Sequence, residues 1–406
     1  MKTNNAQRPK ILFIAYANSS HTHSWISTIA GSAFEVSLFA VSGTAGPEAS
    51  RCPIYMFRAP AVPRGGLWND IRSGLVRVFW KMAMRVLGGD RLVSLLIVFG
   101  HRTQFSASLR EIENMEYFWL IRTIKDMRPD IIHTLAIEPS GFLFHRLREQ
   151  VAGYYGKWML TARGRELTLK GYLPEEKVKE VLSFCDMAIV DSRHSKEIAE
   201  RYCRSVMQFP GTGGIDIPEQ IVEKRERMIL FPKAHEFWGS KSLPVLEALA
   251  LCWQEIKPCT IHMAAVDRET RESVGRLPED MRFSIVMHDR MPREELFDLM
   301  TRTRVLLAPS LSDGIPNVLY EAMAYGALPV VSPLETIREV AEDGKNCLFA
   351  RNLYPEEIAK VVVRAMNDDE LFVHIQRNNR EKVMAVADRK EIAKEINRLY
   401  EEMPDV

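Results

Sequence analysis

The sequence predicts an α/β protein with two doubly wound domains, each built on a parallel sheet. The chain has 406 residues, whereas a single hydrophobic core stops growing at roughly 250–300 residues. Short apolar runs alternate with helical patterns along the chain, which is typical of parallel sheets with helical crossovers. A Gly/Pro-rich run over 208–218 separates two such series. We therefore expect a first domain over 1–208 and a second over 209–387.

The predicted strands are short, bounded and apolar, as buried parallel strands are. Helical patterns separate most of them. The first strand leads into a polar segment, 18–24, which we expect to be a loop, with a helix from Trp25. The predicted strands are 10–17, 34–41, 130–135, 157–161, 186–190, 228–231, 260–264, 283–287, 304–308 and 328–331.

Composition excludes several classes of protein. The chain is 46% hydrophobic and 26% charged, as ordinary soluble globular proteins are. Its formal net charge of +1 argues against a general nucleic-acid binder. The six cysteines include no CxxC pair, which favours free thiols in a reducing cytoplasm. We expect no signal peptide and no membrane span, because no apolar run approaches the roughly 20 residues that a span needs.

The most basic part of the chain lies between Ala61 and Phe105, where seven Lys or Arg residues face two Asp residues. Within it, Arg77, Lys81 and Arg85 recur every four residues and share one face of a predicted helix over 70–87. Two interpretations fit this helix. It is either a basic amphipathic helix on an anionic membrane surface or a solvated face of a helix packed on the sheet.

The most informative segment is 309–331, which reads PSLSDGIPNVLYEAMAYGALPVV. It follows a predicted strand, forms a tight loop and opens a helix near Asn317. The first turn of a helix offers unpaired N–H groups and the positive end of the helix dipole, which together favour a phosphate. Two carboxylates, Asp313 and Glu321, flank this position. A sugar and a ribose are the groups that such carboxylates can bind.

This segment resembles the donor-site signature of glycosyltransferase family 4, whose members are retaining enzymes of the GT-B fold. The resemblance continues through 339–348, EVAEDGKNCL, and covers the rest of the chain more weakly. It implies two Rossmann-like domains facing a cleft, with the nucleotide sugar bound by the second domain and the acceptor by the first. It also implies that the C-terminal helix, 388–406, crosses back to the first domain.

The resemblance implies roles for residues of the second domain. Glu321 would accept hydrogen bonds from the ribose hydroxyls, and Asp313 would contact the donor sugar, in place of the family's usual Glu. Lys233 and Lys241 would bring positive charge to the diphosphate, where relatives carry an Arg and a Lys. The loop and helix start would bind the nucleotide sugar through Gly314, Ile315, Pro316, Asn317 and Val318.

In the first domain, the segment 161–166 matches the place where many relatives carry a histidine that faces the donor sugar. This chain has Arg163 there, and Glu166 matches the acid of an R-G-x-D version found in other members. Arg163 and Glu166 are therefore either contacts to acceptor or donor sugar, or a salt bridge within the loop. His21, after the first strand, is a further candidate for the cleft. No metal motif is present, because His235 and Glu236 lack the third ligand of a site.

The implied function is transfer of a glycosyl group, of hexosyltransferase type, from a nucleotide-diphosphate sugar to an acceptor hydroxyl, with no metal and no other cofactor. The acceptor would be a carbohydrate or a lipid-linked molecule in bacterial-type cell-surface polysaccharide or glycolipid assembly. The enzyme would be cytoplasmic, with peripheral contact to the membrane through 70–87. Two alternatives stay open: a sugar-nucleotide epimerase or hydrolase of the same fold, and a non-catalytic partner protein.

Overall fold

Two parallel sheets form the centre of the protein. The computed structural model describes residues 8–29, 33–41, 54–56, 109–222, 225–237, 239–289 and 291–403. Within them, one sheet has seven strands in the order β3-β2-β1-β4-β5-β6-β7, and the other has six in the order β10-β9-β8-β11-β12-β13. The predicted basic helix over 70–87 lies outside the described residues.

The strands of the first sheet come from the first half of the chain and those of the second sheet from the second half. The first set is β1 Lys10–Ala15, β2 Glu35–Ala40, β3 Ile54–Met56, β4 Ile131–Leu135, β5 Lys157–Thr161, β6 Met187–Val190 and β7 Val206–Gln208. The second set is β8 Met228–Phe231, β9 Thr260–Ala264, β10 Ile285–His288, β11 Val305–Ala308, β12 Leu328–Val331 and β13 Leu348–Phe349.

All ten predicted strands are present, each within two residues of its predicted bounds. Their apolar side chains are mostly buried on both faces, where crossover helices cover the sheet. The exception is the edge strand β10, where Val286 is 40% exposed. Three further strands, β3, β7 and β13, were not predicted. They are two or three residues long, too short for a periodic pattern, and each lies at the edge of its sheet.

Helices follow most strands and cover both faces of each sheet. Those of the first half are α1 Ser20–Ile29, α2 Leu109–Met127, α3 Phe142–Leu147, α4 Gly164–Thr168, α5 Glu175–Phe184 and α6 Arg193–Ala199. Those of the second half are α7 Ser242–Ile256, α8 Arg268–Val274, α9 Glu279–Arg282, α10 Arg293–Arg302, α11 Asn317–Tyr325, α12 Glu335–Arg338, α13 Pro355–Asn367, α14 Asp369–Val386 and α15 Arg389–Glu402.

One helix begins earlier than the sequence predicts. We expected a loop over 18–24, but α1 starts at Ser20. The polar residues of its first turns misled the prediction, because such residues are usual in loops. Thr22 and Ser24 are instead buried, and the Ser24 hydroxyl donates a 2.9 Å hydrogen bond to the carbonyl of Thr212. His21 therefore lies in a helical turn.

The last helix, α15, packs against α1 of the first half. At the contact the hydroxyl of the buried Tyr400 accepts a 3.0 Å hydrogen bond from Trp25 Nε1 and donates one of 2.5 Å to His133 Nδ1. His133 Nε2 then bonds the Thr161 hydroxyl at 2.8 Å. Burial lowers the pKa of His133 to about 3, so the imidazole is neutral and serves as a structural link.

Tyr400→Phe will lower the free energy of unfolding by about 1–3 kcal/mol, because it leaves buried polar groups of His133 and Trp25 without a partner. Urea denaturation of wild type and variant will measure this loss. Tyr354→Phe, at a half-exposed side chain, is the control and will change stability little. Equal midpoints for Tyr400→Phe and wild type would refute the structural role of this network.

The chain passes between the two halves at two adjacent places. Ile215 N–H donates to the Ala387 carbonyl at 2.7 Å, and Arg389 N–H donates to the Ile215 carbonyl at 3.0 Å. Gly214 has a φ of +92°, and a Cβ there would lie 2.7 Å from Arg389 Cα, so only glycine fits this crossing. The boundary between residues 208 and 209 stays a prediction.

Two further features bear on the predictions. No helix in the described ranges is long and apolar enough to cross a membrane. The five cysteines within the described residues are buried and free: Cys185, Cys203, Cys252, Cys259 and Cys347.

Candidate active site

A cavity of about 800 Å³ lies at the carboxyl ends of strands from both sheets. Open α/β sheets bind their ligands at this end. His21, Arg163 and Asp191 line it from the first half of the chain, and Lys233 and Asp313 line it from the second. Residues far apart in sequence thus share one space, large enough for a ligand of drug size.

The loop that follows β11 is fixed by hydrogen bonds to its backbone. The Thr336 hydroxyl lies 3.0 Å from the carbonyl oxygen of Asp313 and 3.2 Å from that of Gly314. Asn352 Nδ2 donates to the Pro309 carbonyl at 2.8 Å. These contacts hold Asp313 toward the cavity, where its Oδ2 lies 2.6 Å from Lys233 Nζ. The ion pair is part-exposed, so a ligand can reach both groups.

Gly314 does not line the cavity itself but meets the first half of the chain. A Cβ on Gly314 would collide with the Asp191 carboxylate, and one on Gly164 would collide with the backbone of Gly314. The two glycines therefore permit the close approach of the two halves. Nearby, the N–H groups of Arg193 and His194 donate to the Glu339 carboxylate at 2.7 and 2.9 Å, which adds a second contact between the halves.

Helix α11 begins at the cavity. Ile315, Pro316, Asn317 and Val318 line the cavity at this helix start, so the N–H groups of the first turn lie at its wall. Asn317 also bridges to the first half of the chain: its Nδ2 lies 3.3 Å from His21 Nδ1, and its Oδ1 accepts a 3.3 Å hydrogen bond from the Thr212 hydroxyl. The predicted phosphate position thus faces the cavity.

Glu321 lies one turn further along α11. Its side chain is only 10% exposed and lies 3.3 Å from Arg293 Nη2. Burial raises the pKa of Glu321, while the positive charges of Arg293, Arg389 and Lys233 oppose the rise. A buried carboxylate needs such partners to stay ionised.

His21 lines the cavity as an exposed side chain. Desolvation by the surrounding cavity wall, followed by the positive charges of Arg163, Lys233 and Arg293, lowers the pKa of His21 to about 4. The imidazole is therefore neutral near pH 7 and can accept or donate a hydrogen bond without adding charge.

Two further predicted residues do not line the cavity. Lys241 Nζ donates to the Glu236 carbonyl at 2.8 Å. Glu166 is buried and accepts hydrogen bonds from the N–H groups of Ile137, Glu138 and Arg163 at 3.1, 3.0 and 2.8 Å. Of the two alternatives for Glu166, the structure favours a role in holding its loop, although through backbone groups rather than a salt bridge.

Among the charged residues of the cavity that sequence reasoning missed are Asp191 and Arg293. Asp191 directly follows the predicted strand 186–190, so its place at the carboxyl end was a usable signal. Arg293 is the first residue of α10, where a cation is unfavourable to the helix dipole. This unfavourable position was the only indication in the sequence that Arg293 belongs to the cavity.

Asp191 titrates near neutrality. Burial, followed by the negative charge of Asp313, raises the pKa of Asp191 to about 7, although a 3.1 Å hydrogen bond from Gly164 N–H opposes the rise. The pKa in the folded state thus exceeds the ordinary value, so the folded protein binds the proton more tightly than the unfolded chain. The protonated Asp191 carboxyl therefore contributes to the free energy of unfolding at low pH. This contribution is lost as the pH rises through about 7.

Asp191→Asn will remove this pH dependence, because asparagine does not ionise yet can still accept the Gly164 hydrogen bond. Between pH 5 and pH 8 the melting temperature of the wild type will fall more than that of the variant. Differential scanning fluorimetry across this range will compare the two slopes. Asp126→Asn, at an exposed ion pair on α2, is the control, and parallel slopes for Asp191→Asn and wild type would be inconsistent with a buried, titrating carboxyl.

Comparison with known proteins finds a family match within the second half of the chain. Residues 239–368 match the family described as glycosyl transferases group 1. This segment contains the loop after β11, Asp313 and helix α11 with Glu321. The match covers about a third of the chain. It confirms the family resemblance stated above, and the protein is a glycosyltransferase that uses a nucleotide sugar.

Solved structures confirm the GT-B fold of this glycosyltransferase. Sucrose-phosphate synthase from Thermosynechococcus elongatus matches at 15% identity and a TM-score of 0.67, over 98% of this chain and 99% of that chain. HepE from Anabaena, in complex with UDP and glucose, matches at 12% identity and a TM-score of 0.69, over 97% and 100% of the two chains.

A more partial likeness is to the pneumococcal O-GlcNAc transferase GtfA in complex with UDP and GlcNAc. It has 14% identity and a TM-score of 0.57, over 70% of this chain and 59% of that chain. At these identities the likeness shows the fold. No curated protein sequence matches the chain.

Proposed function

We propose that this glycosyltransferase moves a sugar from a nucleotide-diphosphate sugar to an acceptor hydroxyl with retention of configuration. The observation that carries the proposal is the convergence of Glu321, the start of α11 and the Lys233–Asp313 pair on one cavity. A nucleotide sugar needs groups for a ribose, a diphosphate and a sugar. The second half of the chain supplies all three.

Each group suits one part of the donor. The Glu321 carboxylate accepts hydrogen bonds from the ribose hydroxyls. The diphosphate lies against the start of α11, where N–H groups and the helix dipole favour negative charge, and Lys233 adds a positive charge. Asp313, beside Lys233, accepts hydrogen bonds from the hydroxyls of the sugar.

The chemistry follows from charge. When the glycosidic bond to the diphosphate breaks, negative charge develops on the leaving phosphate oxygen, and groups already aimed at that oxygen stabilise it without reorganisation. Lys233 and the start of α11 fill this role, so we propose a mechanism that needs no metal ion. The acceptor hydroxyl attacks from the same face of the sugar and passes its proton to the leaving phosphate oxygen. No protein nucleophile is assigned.

The acceptor occupies the half of the cavity lined by His21 and Arg163, which are contributed by the first half of the chain. Both side chains can form hydrogen bonds with a carbohydrate or with the head of a lipid-linked acceptor. We further propose a place in cell-surface polysaccharide or glycolipid assembly in the cytoplasm, with the segment 70–87 at an anionic membrane surface. Solved relatives hold UDP with glucose or GlcNAc, so UDP-sugars are the donors to test first.

Incubation of the protein with UDP-, GDP-, ADP- and TDP-linked sugars, with and without a panel of carbohydrate acceptors and a membrane lipid extract, tests the proposal. Release of nucleoside diphosphate that depends on an acceptor, with an α-linked product from an α-linked donor by NMR, is the expected result. Turnover of the donor alone would favour an epimerase or hydrolase. Binding of a nucleotide without turnover of any donor would favour a non-catalytic partner.

A further inference from the structure

Arg293 occupies a fixed position in the wall of the cavity. It is the first residue of α10 and follows Pro292. Its guanidinium carbon lies 5.0 Å from the centre of the Phe297 ring, a distance that suits a cation–π contact. Stacking on Phe297, one turn along the same helix, limits the conformations of the side chain. Arg293 is therefore presented to the cavity in a defined direction.

The polar partner of Arg293 is Glu321. Arg293 Nη2 donates to Glu321 Oε1 at 3.3 Å, and in the described part of the chain no other donor makes a hydrogen bond to the Glu321 side chain. Arg293 is 29% exposed and Glu321 is 10% exposed. The pair thus reaches from the buried carboxylate to the open cavity.

The other cations near Glu321 have partners of their own. Lys233 pairs with Asp313 at 2.6 Å, and Arg389 pairs with Asp216 at 2.9 Å. Arg293 is therefore the cation that both neutralises and orients Glu321. With Oε1 held by Arg293, the second carboxylate oxygen is left to accept a hydrogen bond from a ligand.

We propose that Arg293 is a positioning residue for ribose recognition: it holds the Glu321 carboxylate ionised and oriented toward the 2′- and 3′-hydroxyls of the bound nucleotide. This inference rests on the proposed function, since it assumes that a nucleotide sugar occupies the cavity. It assigns the discrimination between ribose and 2′-deoxyribose to a pair of residues from α10 and α11. Glutamate alone, buried and without its cation, is a weaker acceptor because burial favours its protonated form.

Isothermal titration calorimetry with ribose and 2′-deoxyribose forms of one nucleotide tests this role. The probes are UDP and 2′-deoxy-UDP, with the matching GDP and ADP pairs measured in parallel, and the pair whose ribose form binds the wild type is used. We expect the wild type to prefer the ribose form by tenfold or more. In Arg293→Gln, affinity for the ribose form will fall about tenfold while affinity for the deoxy form changes little, so the preference will disappear.

Three comparisons make the result specific. Arg302→Gln, at the other end of α10 in an exposed ion pair, will keep the wild-type preference. Arg293→Lys will keep part of the preference, since lysine retains the charge but not the planar fork. Partial retention in this variant would show that the effect of Arg293→Gln comes from the lost charge and not from misfolding. The double variant Arg293→Gln/Glu321→Gln will bind the ribose form no more weakly than Glu321→Gln alone, because Arg293 acts through Glu321.

An Arg293→Gln variant that keeps the ribose preference would overturn the inference while leaving the proposed function intact. Equal weakening of both nucleotide forms would also overturn it, because that pattern indicates a contact to the diphosphate or a loss of structure. If the wild type binds none of the nucleotides, the proposed function fails and the inference fails with it.

Discussion

Replacing Lys233 with alanine will lower kcat by about 10²–10³-fold, the loss typical when one preorganised group is removed from a developing oxyanion. Lys233 lies at the end of the first strand of the second sheet, and its ammonium group meets Asp313 at 2.6 Å across the cavity. The charge that it stabilises develops as the glycosidic bond breaks. The effect will therefore fall mainly on kcat, with a smaller rise in KM for the donor.

Steady-state kinetics at saturating acceptor, with donor concentration varied, will separate these two effects. Lys345→Ala is the matched control, because Lys345 forms an exposed pair with Glu342 at 3.0 Å on the surface and will leave both constants unchanged. A Lys233→Ala variant with wild-type kcat would show that the leaving group is stabilised elsewhere.

Replacing Glu321 with glutamine will weaken binding of the nucleoside diphosphate by about 10- to 150-fold. Hydrogen bonds to a charged group contribute roughly 1.5–3 kcal/mol each, and glutamine offers a neutral acceptor in place of the carboxylate. The contact to the ribose is made equally in the ground state and the transition state. KM will therefore rise more than kcat falls, which is the reverse of the pattern for Lys233.

Calorimetric titration of the nucleoside diphosphate into Glu321→Gln will measure the loss directly. The control is Glu342→Gln, which changes an exposed carboxylate away from the cavity. Circular dichroism of each variant will verify that the fold is kept. Unchanged affinity in Glu321→Gln would remove this residue from the nucleotide site.

Much of the fold was predictable from local pattern. The runs that became β5, β8, β9 and β12 are apolar, short and bounded by turn residues, and their ends were predicted to the residue. Strands β3 and β13 were not predicted because two or three residues are too few to show a periodic pattern of apolar side chains. Their pairing also depends on neighbours that are distant in sequence. The start of α1 was predicted too late in the chain because the polar residues before Trp25 were taken for a loop. One of them, Ser24, is buried and donates a hydrogen bond to Thr212, and local polarity does not reveal such a contact between the two halves of the chain.

The candidate site was predictable where one contiguous segment carries it. Asp313, Asn317 and Glu321 lie within nine residues, so their placement follows from one strand, one loop and one helix. Lys241 was predicted to reach the diphosphate, but its ammonium group donates a hydrogen bond to the backbone carbonyl of Glu236 instead. The sequence does not show this contact. Asp191 and Arg293 reach the same cavity from separate elements, and their convergence is a property of the tertiary structure.

The central claim is that this cavity is a nucleotide-sugar site. Isothermal titration calorimetry of UDP, GDP, ADP and TDP with the wild-type protein tests it most directly. We predict that one of the four binds at a stoichiometry of one per chain, and that a ligand at 100 times its Kd stabilises the fold by about 2.7 kcal/mol in a parallel thermal melt. If none of the four binds or stabilises the protein, the assignment of the cavity is contradicted.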